Sequence, residues 1–143
     1  MNRVFVTGGS GSLGKSLILN LLSTTDSVVV CYSRDPHKQN ELIALMGNHP
    51  NLRAVVGDVR DEDRLKWMMR GSDVVVHAAA LKHVDAGEYA PGEYHQTNID
   101  GTENVAKAAV TVRVEKCLFI SSDKAVAPYN LYGRTKAVAE RIW

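Results

Sequence analysis

The residues best suited to chemistry lie between Ser121 and Lys136, in the stretch SSDKAVAPYNLYGRTK. Tyr132 and Lys136 are four positions apart, so on a helix their side chains share one face and can reach one site. A lysine ammonium beside a phenol favours the phenolate, which makes Tyr132 a candidate acid–base group near neutral pH. Because the Tyr-x-x-x-Lys spacing also arises by chance in ordinary helices, its significance depends on the elements around it.

Three further reactive side chains precede this pair. Ser122, Asp123 and Lys124 follow an apolar run at 117–120 that predicts a buried strand. Ligand-binding groups in α/β sheets lie just beyond the carboxyl ends of strands, which is where these three residues fall. We therefore predict a catalytic site that contains Ser122, Asp123, Lys124, Tyr132 and Lys136.

A second chemical feature is the glycine loop near the start of the chain. The β-branched run at 3–7 is followed by GGSGSLG and then by a helical pattern at 15–22. Strand, glycine loop and helix in this order form a tight turn whose backbone can approach a pyrophosphate, and the helix N-terminus supplies N–H groups. The alternative is a glycine-rich turn that binds nothing. The predicted phosphate-binding residues are Gly8, Ser10, Gly11, Ser12, Leu13 and Gly14.

The end of the second predicted strand indicates which dinucleotide would bind. An acidic residue at this point binds the free ribose 2′-hydroxyl of NAD, whereas a nearby arginine accepts the 2′-phosphate of NADP. Ser33, Arg34 and Lys38 can surround a phosphate, so the sequence favours NADP over NAD. Asp35 has two alternative roles, an ion pair with Lys38 or the start of the next helix. Arg34 and Lys38 are otherwise explained as a solvated charged surface.

The exits of the third and fourth predicted strands add further candidates. Asp58 could accept the adenine amino group or cap the following helix, although Asp61 is better placed for the cap. The small residues Ala78 to Ala80 would let a flat ring system approach the backbone. His83 can serve as a ligand or base, but we interpret it as a hydrogen-bonded structural group. Asn98, in a predicted helix, either bonds to backbone near the site or is a routine polar position.

Strands alternate with helices along the whole chain, and the segment 87–112 is largely helical in pattern. This alternation defines βαβ units, a parallel sheet and right-handed crossovers, so the fold class is α/β. We predict a Rossmann-like, doubly wound parallel sheet with helices on both faces and strand order 3-2-1-4-5. Residues 1–143 would then form one NAD(P)-binding domain.

Composition excludes several classes of function. The 143 residues include 17 basic and 16 acidic side chains, and the net charge of +1 predicts neither nucleic-acid binding nor membrane insertion. No apolar run reaches the roughly 18 residues that span a bilayer, and no signal peptide is visible. Cys31 and Cys117 fall in predicted buried strands, which indicates reduced thiols and a cytoplasmic protein. None of the five histidines pairs with cysteines or carboxylates at metal-ligand spacing, so we predict no metal.

Taken in order, the motifs TGGSGSLG, YSRD, GDVRD, HAAALKHV and SSDKAVAPYNLYGRTK resemble the extended short-chain dehydrogenases/reductases. Within that group the sequence resembles the inverting UDP-N-acetylglucosamine 4,6-dehydratases of polysaccharide biosynthesis. The motifs HAAALKHV and SDKA…NLYGRTK are far more specific than the glycine loop. Retaining sugar-nucleotide 4,6-dehydratases typically have glutamate at the position of Lys124, so the Asp123–Lys124 pair indicates the inverting branch.

The resemblance implies a role for most residues of the predicted catalytic site. Tyr132, supported by Lys136, would take the proton from the carbon-4 hydroxyl of the sugar while hydride passes to NADP. Lys124, in its neutral form, would remove the carbon-5 proton that the new ketone acidifies. Asp123 would act as an acid and help to expel the carbon-6 hydroxyl as water. Hydride then returns to carbon 6, and protonation of carbon 5 on the opposite face inverts it.

The resemblance also implies ligands and assembly. NADP would be held by the glycine loop together with Ser33, Arg34, Lys38, Asp58, Val59, Ala78, Ala80, Lys82, Tyr132 and Lys136. A UDP-sugar substrate would contact Lys82, Lys124 and Tyr132. The protein would be a homo-oligomer.

Three features separate this sequence from the family pattern. Ala127 and Tyr129 stand in a loop that usually reads closer to A-A-N-P-I-N, and Asp85 falls where the family often has proline. Family members are also about twice this length, so we expect the substrate-binding part to lie outside this sequence. The alternatives to a dehydratase are a catalytically silent NADP-binding half-domain, acting as a sensor or partner module, and a nucleotide-sugar epimerase.

Overall fold

Five parallel strands form a single sheet in the computed structural model, which describes residues 2–143. The strands are β1 (Arg3–Thr7), β2 (Val28–Ser33), β3 (Leu52–Val56), β4 (Val74–His77) and β5 (Lys116–Phe119). Their order across the sheet is β3-β2-β1-β4-β5, which confirms the predicted doubly wound α/β fold. The chain changes direction across the sheet between β1 and β4, and ligands of such sheets bind in the crevice at this point.

Helices cover both faces of the sheet. They are α1 (Ser12–Thr24), α2 (Pro36–Leu45), α3 (Glu62–Met69), α4 (Val84–Tyr89), α5 (Pro91–Tyr94), α6 (Gly101–Thr111) and α7 (Leu131–Ile142). The segment predicted as largely helical from 87 to 112 is divided in the structure, because α4 ends before Pro91 and a π-helical turn, His95–Asp100, precedes α6. Proline disfavours helical backbone at the residue before it, and Ala90 accordingly has φ −131° and ψ 56°.

Alternate residues of the strands supply two apolar cores, one on each face. Phe5 and Val75 are buried against side chains of α3 and α6. Val4 and Val6 are buried on the opposite face with side chains of α1 and α2. Burial on both faces explains why the inner strands read as continuous apolar runs. Within residues 2–143, none of the helices combines the length and the hydrophobicity needed to cross a membrane.

The sequence predicted a buried fifth strand, but this strand is exposed in the structure. β5 pairs only with β4 and lies at the edge of the sheet, where Cys117 is exposed and Leu118 keeps 55% of its surface accessible. The apolar run therefore identified a strand correctly but its burial incorrectly, because burial depends on which helices cover the strand and not on its own composition. Cys31 in β2 is fully buried as predicted, and burial raises the pKa of its thiol to about 11.

Candidate active site

A cavity of about 430 Å³ opens beyond the carboxyl ends of the strands. It brings together every predicted cofactor ligand except Asp58: Gly8, Ser10, Gly11, Ser12, Leu13, Gly14, Ser33, Arg34, Lys38, Val59, Ala78, Ala80, Lys82, Tyr132 and Lys136. The predicted catalytic residues Ser122, Asp123 and Lys124 lie outside its lining. Residues without a predicted ligand-binding role line it as well, and His83 and Thr97 are among them.

The glycine loop packs tightly against its own backbone and against the chain that follows β4. Gly8 has φ +69°, and a Cβ atom there would meet the backbone of Ala79 at 2.8 Å. A Cβ atom at Gly14 would lie 2.5 Å from the carbonyl oxygen of Gly8. Both positions therefore require glycine, one for its backbone conformation and both for close approach. The loop presents bare backbone to the cavity, as a bound pyrophosphate requires.

The first turn of α1 has no side-chain cap, whereas α2, α3 and α7 have one. Asp35, Asp61 and Asn130 accept hydrogen bonds from the first turns of α2, α3 and α7. α1 begins after Gly11, which has no side chain to cap it, and Ser12, Leu13 and Gly14 line the cavity. The N–H groups at this positive helix end are thus available to an anion.

At the end of β2 the structure decides between the two roles of Asp35. Its carboxylate accepts hydrogen bonds from the backbone N–H groups of His37, at 2.9 Å, and Lys38, at 3.2 Å. The N–H of Lys38 is the main reason that the pKa of Asp35 is lowered. Asp35 therefore starts α2 through Oδ1, and the residue also lines the cavity. Arg34 and Lys38 are exposed, on the rim of the cavity.

The carboxylate of Asp58 is occupied by a neighbouring arginine. It accepts hydrogen bonds from Arg60 N, at 2.9 Å, and Arg60 Nε, at 3.1 Å, and Arg60 also reaches Glu93 at 2.9 Å. Burial would raise the pKa of Asp58, but the hydrogen bonds from Arg60 outweigh burial and lower it. Asp61 accepts from Arg64 N at 2.9 Å, so it provides the helix cap as predicted.

Thr97 is a site residue that the sequence analysis missed. Its hydroxyl is buried, with 3% of the residue exposed, and has no hydrogen-bond partner within residues 2–143. The residue itself lines the cavity. A buried hydroxyl without a partner costs free energy, so this group is suited to a polar atom of a bound ligand. The one sequence signal was its position next to Asn98 in a helix packed against the sheet.

Asn98 connects the exit of β4 to α7. Its Oδ1 accepts from Leu81 N at 2.8 Å, and its Nδ2 donates to Leu81 O at 2.9 Å and to Thr135 Oγ1 at 3.0 Å. The prediction that Asn98 bonds to backbone near the site is confirmed. The imidazole of His83, by contrast, makes no hydrogen bond to residues 2–143 and is exposed at the cavity, so its interpretation as a hydrogen-bonded structural group is wrong.

Tyr132 and Lys136 lie on one face of α7, as predicted, and both are buried, with 9% and 4% of their surfaces exposed. Lys136 Nζ donates to the carbonyl oxygen of Ile120 at 2.6 Å and lies 4.0 Å from the centre of the Phe119 ring. Burial lowers the pKa of Lys136 to about 8, and Glu140 partly opposes this effect. Lys136 can therefore exchange a proton close to neutral pH.

The other candidate acid–base pair lies on a 3₁₀ turn, Asp123–Ala125. Ser122 Oγ donates to Asp123 Oδ1 at 3.1 Å, and Lys124 Nζ lies 3.3 Å from the same oxygen. Lys124 and then Ser122 lower the pKa of Asp123, whose side chain is 87% exposed. In this arrangement Asp123 is a carboxylate, not the acid that its implied role requires.

The fold and the cavity together define the structural class of the protein. A doubly wound parallel sheet, a glycine loop before α1 and a buried Tyr–Lys pair at the cavity are the attributes of a Rossmann-like short-chain dehydrogenase/reductase fold. The chain belongs to the polysaccharide biosynthesis protein family, whose sequence model matches residues 4–143. No group of three or more His, Cys, Asp or Glu side chains within residues 2–143 is arranged to hold a metal ion.

Individual relatives include two kinds of sugar-nucleotide enzyme. The inverting UDP-N-acetylglucosamine 4,6-dehydratase of Campylobacter jejuni is 44% identical over 141 residues, which are 98% of this chain and 42% of that protein. A UDP-glucose 4-epimerase of Rickettsia felis is 40% identical over 97% of this chain and 42% of its own length. The chain thus spans about two fifths of the relatives that it matches.

Solved structures agree with this placement. Pen from Bacillus thuringiensis superposes with a TM-score of 0.95 at 42% identity, over 99% of this chain and 43% of that one. DesIV from Streptomyces venezuelae, a dTDP-glucose 4,6-dehydratase with NAD and TYD bound, gives a TM-score of 0.89 at 26% identity, over 98% of this chain and 50% of that one.

Proposed function

We propose that this chain provides the NADP-binding domain and the acid–base residues of an inverting UDP-N-acetylglucosamine 4,6-dehydratase. The observation that carries the proposal is the buried Tyr132–Lys136 pair, which faces a cavity shared with the glycine loop. Similarity to the Campylobacter jejuni dehydratase over 98% of the chain supports it. Reduced thiols are typical of reducing compartments, and on that ground the proposal includes a cytoplasmic location. It also includes assembly into a homo-oligomer.

The residues present fit a dinucleotide. The glycine backbone at Gly8 and Gly14 leaves room for a pyrophosphate, and the first turn of α1 lacks a side-chain cap. The hydroxyl of Thr97 has no partner within residues 2–143, and rotation of this side chain at the cavity would turn the hydroxyl toward the ligand. We assign the 2′-phosphate of NADP to Ser33, Arg34 and Lys38, because these three hydrogen-bond donors line the cavity and Asp35 already uses Oδ1 to cap α2.

Tyr132 and Lys136 would begin the reaction. NADP, when bound, supplies reversible hydride transfer. Tyr132 as the phenolate removes the proton from the carbon-4 hydroxyl, and the Lys136 ammonium stabilises that phenolate from the same helix face. The loss of this proton and of the carbon-4 hydride leaves a ketone, which makes the neighbouring carbon-5 proton acidic.

Asp123 and Lys124 would then remove water. Their ion pair, with 3.3 Å between Lys124 Nζ and Asp123 Oδ1, needs one proton transfer to become a neutral amine and a carboxylic acid. Burial beneath a bound substrate favours that neutral pair because it penalises both charges. The Lys124 amine can then accept the carbon-5 proton while Asp123 donates a proton to the leaving carbon-6 hydroxyl.

The test is to mix the purified chain with UDP-N-acetylglucosamine and NADP in deuterated water and to follow products by proton NMR. The expected product is a 4-keto-6-deoxy sugar with deuterium and inverted configuration at carbon 5. Lys124→Ala should abolish it while leaving NADP affinity intact, since Lys124 lies outside the cavity lining. Full activity in that variant would refute the assigned role.

Two other functions are distinguished by the same experiment. The 40% identity to a UDP-glucose 4-epimerase favours an epimerase as the second candidate, and its product would be the 4-epimer without deuterium at carbon 5. No turnover, with NADP still raising the melting temperature, would identify a nucleotide-binding module. The Asp123–Lys124 pair favours the dehydratase, because epimerisation at carbon 4 does not require a base for carbon 5.

A further inference from the structure

A buried glutamine supports the end of β2. Gln39 of α2 is 3% exposed, and its Nε2 donates to the carbonyl oxygen of Ser33 at 3.0 Å, to Ser33 Oγ at 2.8 Å and to the carbonyl oxygen of Val55 at 2.9 Å. Two of these three acceptors are carbonyls, which can only accept, so the nitrogen of the amide must face them. The side chain therefore joins α2 to the ends of β2 and β3.

This contact determines where the proton of the Ser33 hydroxyl can point. The Gln39 amide has two hydrogens for three acceptors, so Ser33 Oγ shares one of them with a carbonyl oxygen. Because the amide nitrogen cannot accept a hydrogen bond, the Ser33 hydroxyl must direct its own hydrogen elsewhere. The neighbouring group that can receive it is the Cys31 thiol, which burial keeps protonated with a pKa of about 11. A protonated thiol is a weak acceptor, so a stronger acceptor in the cavity would take this hydrogen bond.

Ser33, Arg34 and Lys38 line the same part of the cavity, and the Gln39 amide lies behind the first of them. We propose that Gln39 is a positioning residue for cofactor choice: it directs the Ser33 hydroxyl to donate to a nucleotide 2′-phosphate. The inference rests on the proposed NADP site. It adds the residue through which Ser33 distinguishes NADP from NAD. A dianionic phosphate gains more from an oriented O–H donor than a ribose hydroxyl does.

The test measures binding and needs no turnover. Calorimetry compares two ligands, adenosine 2′,5′-bisphosphate and adenosine 5′-monophosphate, which differ only in the 2′-phosphate. The wild-type chain should prefer the bisphosphate, and Gln39→Met should reduce this preference about tenfold. The loss should fall on the bisphosphate alone. A general disturbance of the loop would weaken both ligands together, and that result would overturn the inference.

A double-mutant cycle shows whether Gln39 acts through Ser33. In a Ser33→Ala background, Gln39→Met should have no further effect on the preference. An undiminished effect there would also overturn the inference. Gln39→Asn has an amide too short to reach Ser33, so it should also reduce the preference for the bisphosphate. This variant provides the test if Gln39→Met does not fold. Asn40→Ala, on the exposed face of the same helix, is the matched control and should keep the wild-type preference.

The two proposals fail in different ways. If the wild-type chain binds both ligands equally, the NADP preference in the proposed function is wrong, and the role of Gln39 falls with it. If the wild type prefers the bisphosphate and both Gln39 variants retain that preference, only the role of Gln39 is refuted.

Discussion

The backbone of Lys124 lies directly against Gly133. A Cβ atom at Gly133 would collide with the carbonyl oxygen of Lys124 and would lie 3.1 Å from Pro128 Cβ. This contact holds the Asp123–Ala125 turn beside Tyr132, the residue that precedes Gly133 in α7. Gly133 thereby sets the spacing between the two candidate acid–base pairs, although neither pair includes it.

Gly133→Ala should separate the two pairs. The added methyl must displace the Asp123–Ala125 turn, and a shift of about 1 Å in a catalytic group can reduce turnover about 100-fold. NADP affinity should remain unchanged, because alanine favours the helix and the glycine loop is untouched. NMR of product formation and calorimetry with NADP measure the two effects. Gly92→Ala, where a Cβ meets nothing within 4 Å, is the control. Wild-type turnover in Gly133→Ala would contradict the prediction.

Thr97→Val should stabilise the protein and weaken its nucleotide binding. The substitution removes a buried hydroxyl without a partner, so we expect about 1 kcal/mol of added stability in urea unfolding. NADP affinity should decrease about tenfold, because the ligand loses one hydrogen bond. Thr102→Val is the matched control, since that hydroxyl donates to Asn98 O at 2.7 Å and its loss should destabilise. Unchanged NADP affinity in Thr97→Val would exclude Thr97 from the site.

Lys136 should make turnover fall at alkaline pH. The pKa of Lys136 is lowered from 10.5 to about 8 by burial, so the ammonium that supports the Tyr132 phenolate is lost as pH rises through about 8. The pH profile of kcat/KM should therefore decline above that value. NMR detection of the Lys136 Nζ titration provides a reading that is independent of activity. A midpoint near 10.5 would contradict the prediction.

His77 should make the protein sensitive to acid. Its ring is fully buried between Thr7 Oγ1, at 2.6 Å, and Thr102 Oγ1, at 3.0 Å. Burial lowers the pKa of His77 from 6.5 to about 3, and Lys136 contributes to the same shift. Between these pH values His77 is protonated in the unfolded chain and neutral in the folded chain. Its contribution to the free energy of unfolding is therefore fully present above pH 6.5 and is lost as the pH falls.

The slope expected from His77 is about 1.4 kcal/mol per pH unit. His77→Gln cannot titrate, so urea unfolding at pH 7 and pH 5 should show a smaller loss of stability in this variant than in the wild type. Equal losses in both proteins would assign the acid sensitivity to other groups.

Arg113→Gly should stabilise the end of α6. Arg113 has φ +60°, and Val114 N bonds to Ala109 O while Arg113 N bonds to Val110 O, the pattern that usually places glycine at this position. Relief of the left-handed conformation should add about 1 kcal/mol to the free energy of unfolding. Arg113→Ala keeps a Cβ atom and should give no such gain. A gain of equal size in both variants would point to the lost charge and not to the backbone.

Local patterns in the sequence were sufficient for the fold and for much of the site. The strand order follows from the alternation of strands and helices, and the glycine loop is a contiguous motif. The shared face of Tyr132 and Lys136 follows from helix geometry alone. The glycine loop and the Tyr–Lys face depend on residues close in the chain, whose spacing fixes their arrangement once the element forms. The strand order joins distant strands, and it could be predicted because parallel βαβ connections follow general rules.

Tertiary structure decided what depends on residues far apart in the chain. The exposure of Cys117 follows from the position of β5 at the sheet edge, and the lack of a partner for Thr97 follows from what surrounds it in space. The contact between Lys124 and Gly133 joins a loop to a helix, and Gln39 reaches across β2 and β3. Burial and hydrogen bonding are properties of distance in three dimensions, and a pattern of residue types along the chain does not contain them.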